Sequence, residues 1–227
     1  MYKTTSRAVM AFLILVLLVS CQQLFTTSLG STLARDTYPD LSKIPLDDAL
    51  LYMADAKADP SLAAALVTPL YKAALDADPA SSVYDKAATA LVDAVVISSG
   101  IGTAINDGLT AFLNDDAIDL DSLLNSITVS AAAIDALTLI ADNIDADPPA
   151  PPPSMTATQA YTAAATLMVA ILADAPGLSL NDSTAGDFAT ANTAAYNTAL
   201  ILFQYAQSID TPDSIFGSIF SDLPIVP

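Results

Sequence analysis

Apolar residues follow two different patterns along the chain. Near the N-terminus an unbroken apolar run extends from Ala8 to Val19, bounded by Arg7 and Ser20. Further on, apolar residues recur at steps of three and four, the spacing of one face of an α-helix. Leu120, Leu123, Leu124, Ile127, Ala131, Ile134, Leu137, Ala141 and Ile144 form the longest such stripe, and Tyr161, Ala164, Met168, Ile171 and Ala175 form another. With the polar punctuation, the pattern predicts helices over 47–58, 60–76, 80–98, 102–113, 118–145, 156–174 and 184–208, and a short one over 212–221. Asp59-Pro60 and Asp78-Pro79 each read as an N-cap followed by proline at the first helical position, where the missing N–H costs nothing. Pro69 lies inside the second helix and predicts a kink or a split. Leu91–Ile97 has the β-branched density of a strand but reads equally well as buried helix. Pro148 to Pro153 (PPAPPP) suits neither a helix nor a sheet interior and reads as an extended, semi-rigid connector. The fold expected is all-α, built of alanine-rich helical hairpins whose small side chains let helix axes approach closely.

Composition narrows the chemistry. The 227 residues carry a formal charge of −18; all 25 acids are aspartate, and there is no glutamate, histidine or tryptophan. Without histidine there is no Ser-His-Asp or Cys-His catalysis and no imidazole-bound metal. One cysteine allows no internal disulfide and no thiolate cluster. An acidic chain without a basic patch argues against nucleic acid, whose affinity comes mainly from Lys and Arg on phosphates. The last cation is Lys86, so no ion pair can form within residues 87–227. Their aspartates are expected to be solvated, to cap helices or to bind a cation. Nothing in their spacing singles out an acid–base pair, so the chain is not expected to be an enzyme and no cofactor is assigned.

The apolar run that follows Lys3 and Arg7 is twelve residues long, too short for the roughly 20 apolar residues of a membrane span and suited to the core of a secretory signal. It ends in Leu18-Val19-Ser20-Cys21, which resembles a bacterial lipoprotein signal: aliphatic, small or aliphatic, small, then cysteine. The resemblance implies cleavage between Ser20 and Cys21, lipidation of the Cys21 sulfur, and export to the cell envelope. Gln22 stands where aspartate would resemble an inner-membrane retention signal, so in a two-membrane host the expectation leans to the outer membrane, facing the periplasm. The organisation expected is a signal peptide over 1–20, a lipidated Cys21 and tether over 21–46, a helical part over 47–147, the proline-rich connector over 148–155, and a second helical part over 156–227 packed on the first.

Three internal motifs bear on function. Tyr71, Ala74 and Pro79 resemble the end of the second helix of a tetratricopeptide repeat, in which an aromatic packs between helices, alanine allows close approach and proline begins the next hairpin. Tyr196-Asn197-Thr198-Ala199-Leu200 shares the Tyr-x-x-Ala-Leu core, but no 34-residue period emerges. The resemblance implies a groove for a protein partner. With the lipoprotein signal, the chain is similar in style to the helical lipoproteins that partner substrate-binding proteins of TRAP-type transporters. Gly100-Ile101-Gly102 has part of a dinucleotide-binding turn, but Ile105 occupies the third glycine position, and an interhelical turn with glycine C-caps is expected instead. Asp115 to Asp121 and Asp142 to Asp147 are two aspartate-rich stretches that could offer oxygen ligands to calcium but read better as helix caps and solvated ends. In the second, Pro148 and Ser154 replace the glycine and the bidentate ligand of an EF-hand loop, so no metal site is assigned. The function expected is a lipid-anchored protein-interaction or scaffold module, with a small-molecule or cation-binding envelope lipoprotein as the alternative.

Overall fold

Most of the described helix starts follow a polar residue that caps them. The computed structural model describes residues 40–104, 127–175, 178 and 185–210. After a 3₁₀ turn at Leu41–Lys43 come α1 (Leu46–Ala56), α2 (Pro60–Asp76), α3 (Ser82–Ser99), α4 (Ala131–Ile144), α5 (Ala157–Asp174), α6 (Ala185–Ala191) and α7 (Thr193–Ile209). Residues 101–104 are also helical, and no strand occurs among the described residues. The molecule is all-α there, and Leu91–Ile97 is buried helix within α3.

The caps explain both agreements and departures. Asp59 accepts from the backbone N–H groups of Ser61 at 2.9 Å and Leu62 at 3.1 Å, with Pro60 at the first helical position, as its sequence requires. Asp78-Pro79 does something else: Asp78 accepts from the Ala80 N–H at 2.9 Å and, through its carbonyl, from the Ser81 N–H at 2.8 Å. Pro79 is therefore a turn residue. Ser81 is the N-cap, accepting from the Tyr84 N–H at 3.2 Å, and α3 starts at Ser82 instead of Ala80.

Two predicted helices are divided or shortened. The expected 118–145 helix is not continuous: residues 127–130 are non-helical, Thr128 donates its N–H to the Ser99 carbonyl at 3.0 Å, and α4 begins after Ser130, whose hydroxyl caps Ala133. Its buried face is Ala133, Ala136, Leu137, Ile140 and Ala141; Ala131, assigned to the stripe, is exposed. The expected 184–208 helix is interrupted at Asn192, whose side chain accepts from the Ala195 N–H at 3.1 Å and starts α7 afresh. An Asn side chain that bonds its own backbone competes with helix continuation. Pro69 does not split α2; it is buried, and the carbonyl it orphans belongs to exposed Ala65, where water can satisfy it. The predicted 212–221 helix and most of the 102–113 helix lie outside the described residues.

α2 and α3 form an antiparallel hairpin on which α1 packs, and α5 and α7 form a second. α4 touches α2, α3 and α7, and α5 rests on α3, so one apolar cluster runs from Leu41 to Ala206 through α1 to α7. Alanine supplies much of it: Ala63, Ala87, Ala88, Ala94, Ala136, Ala141, Ala160, Ala163 and Ala206 are fully buried. Each buries little area, and the larger contributions come from Leu62, Leu70, Leu91, Leu137, Leu167 and Leu202, at roughly 1.5–3 kcal/mol per side chain. No described helix is long and apolar enough to cross a membrane.

Candidate functional site

Cys21 lies outside the described residues. Of the tetratricopeptide-like triplet, Tyr71 and Ala74 sit one turn apart on α2. Ala74 is buried in the apolar cluster and Tyr71 is half-buried against it, whereas Pro79 is in the α2–α3 turn. The three thus form a hairpin junction: an aromatic and an alanine on the packed face, and a proline in the reversal. Tyr196 and Ala199 of the shorter fragment are buried on α7.

A second constellation spans segments far apart in sequence. The C-termini of α4 and α7 and the N-termini of α3 and α5 share one end of the molecule, and the proline-rich connector crosses it. Residues 145–148 bend, Ala150 donates its N–H to the Asn143 carbonyl at 2.8 Å, and Met155 donates to the Pro152 carbonyl at 3.0 Å. Pro152 and Met155 are buried. The connector is held against α3 by Asp85, which accepts from the Ser154 N–H at 2.8 Å and the Ser154 hydroxyl at 2.7 Å. One turn later, Gln159 completes a capping box with Thr156 and donates its side-chain N–H to Asp93 at 2.6 Å. Two α3 aspartates therefore join elements by accepting from neutral donors, Ser154 and Gln159, where a less acidic chain would use lysine or arginine. The capping box went unread although Thr156-x-x-Gln159 is its local signal; the pairings with Asp85 and Asp93, across 69 and 66 residues, have no local signal.

Tyrosines complete this end. The Tyr84 ring is fully buried and its hydroxyl lacks a hydrogen-bond partner; burial pushes the phenol up to about 12, an effect that nearby Asn143 partly offsets. Asn143 instead donates its side-chain N–H to the Leu139 carbonyl at 3.0 Å. Burial, and then the charge of Asp85, raise the Tyr205 phenol. Burial followed by Asp210 raises that of Tyr161, whose ring meets Phe203 edge-on at 5.4 Å between centroids.

Of the other candidates, the glycine turn resolves into structure. Gly100 has φ 76°, the left-handed conformation that closes a helix, and its N–H donates to the Ile97 carbonyl at 3.2 Å; it is the C-cap of α3. The stretch Asp115 to Asp121 lies outside the described residues. Asp142, Asp145 and Asp147 lie within them, where no group of three or more acidic side chains is arranged to hold a metal ion. The ion pair between described side chains is the exposed Lys43–Asp40 contact at 3.8 Å, and Asp40 is held below the usual carboxylate range by the Ser42 hydroxyl and N–H and by Lys43. Lys43 and Lys72, with Ser42, Pro45 and Asp76, line an open cleft of about 180 Å³ between the N-terminal segment and α2.

No protein-family model matches the chain, and neither a curated protein nor a solved structure shows significant similarity to it.

Proposed function

We propose that the chain is an exported protein, anchored to the cell envelope by lipid on Cys21, whose helical hairpins serve as a protein-interaction or scaffold module, with a solute-transport component as one class of partner. The observation that carries this reading is the Leu18-Val19-Ser20-Cys21 sequence after a short apolar run, with the chain's single cysteine at the position a lipoprotein signal requires. The α2–α3 hairpin supports the interaction half, because Tyr71 and Ala74 pack at its junction as they would in a helical repeat. The anchor is tested by radioactive palmitate in a bacterial host. The wild-type chain should take up label and Cys21→Ser should not; equal labelling of the two would refute it. The interaction role is tested by cross-linking the anchored protein in its native envelope and identifying what is captured. A defined protein at constant stoichiometry supports the module, whereas a bound metabolite or ion without a protein supports the alternative.

A further inference from the structure

We draw no further inference here: the strongest candidate, the open cleft between the Asp40–Leu46 segment and α2, rests on exposed lysines beside the uncapped N-terminus of α1, with Lys43 already paired to Asp40, and nothing in the structure points to a ligand there.

Discussion

The α2–α3 and α5–α7 hairpins reach the same antiparallel packing by different means. α2 and α3 are joined by the five residues 77–81, and their ends are fixed by neighbours in sequence: Asp59, Ser81 and Gly100 each close a terminus from within a few residues. α5 and α7 are separated by residues 175–192, with α6 between them, and are held by contacts that sequence proximity does not supply. Tyr161 meets Phe203, and Thr138 and Thr198 oxygens lie 3.4 Å apart. The Thr138 hydroxyl already donates to the Ile134 carbonyl, which leaves Thr198 to donate between the pair. α5 also buries Thr162 and Thr166, each donating to the carbonyl four residues back, so the polar atoms cost little in the buried middle of the helix. The first hairpin is organised locally; the second depends on its surroundings.

The largest test of that contrast is Phe203→Ala. It should cost about 3–5 kcal/mol in urea unfolding, since an aromatic leaves a packed site and Tyr161 loses its edge contact. If the second hairpin depends on its surroundings, amide exchange should speed up first in α5 and α7 while α2 and α3 stay protected. Uniform acceleration across all four helices would show that the hairpins do not differ.

Asp85→Ala should cost about 1–2 kcal/mol, because it leaves the Ser154 N–H and hydroxyl without their charged acceptor. Exchange at Ser154 and along the connector should rise while α3 remains helical by circular dichroism. Unchanged exchange there would mean that the connector stays in place without Asp85.

The two Asp-Pro junctions give a smaller effect with an internal control. Asp59→Ala should lose about 1 kcal/mol, the worth of an N-cap. Asp78→Ala should lose only a few tenths, because Ser81 caps α3 and Asp78 serves a turn. Equal losses would restore the reading of both as caps.

An effect of opposite sign at neutral pH is expected of Tyr84→Phe, which removes a buried hydroxyl without a partner and should stabilise by up to about 1 kcal/mol. Its signature is alkaline. In the unfolded chain the phenol ionises near 10, while in the folded chain it holds its proton to about 12. Between those values the unfolded state binds fewer protons, so wild-type stability should fall as pH rises through this window. Tyr84→Phe should lose that component of the fall; an identical alkaline slope would place the ionisation elsewhere.

How much was legible follows the same division. The start of α2 could be read from Asp59-Pro60, because cap and helix are contiguous, and the Thr156–Gln159 capping box that starts α5 is a signal of the same local kind. The 118–145 stripe misled because apolar periodicity continues through Thr128-Val129-Ser130, while the backbone there pairs with Ser99 and restarts at a serine cap. Asn192 interrupts a run that is otherwise helical on both sides. At the candidate site, Tyr71 and Ala74 were visible as a local motif, and the turn role of Pro79 was not, because Ser81 outcompetes Asp78 as the cap. The roles of Asp85 and Asp93 have no local signal, since their partners are brought to them only by tertiary folding.

Gln159 carries one more consequence. Its oxygen accepts from the Thr156 N–H at 2.9 Å while its nitrogen donates to Asp93, so the amide needs two unlike ends. Glutamate serves equally well in an isolated capping box, and the two residues' codons differ by one base. In this chain glutamate would turn a second carboxylate towards Asp93, so a change that is silent for the helix would be selected against by its neighbour. Position 159 is thus a place where mutational tolerance is set by the tertiary partner, and the neutral amide there lets Asp93 of α3 accept a close neighbour.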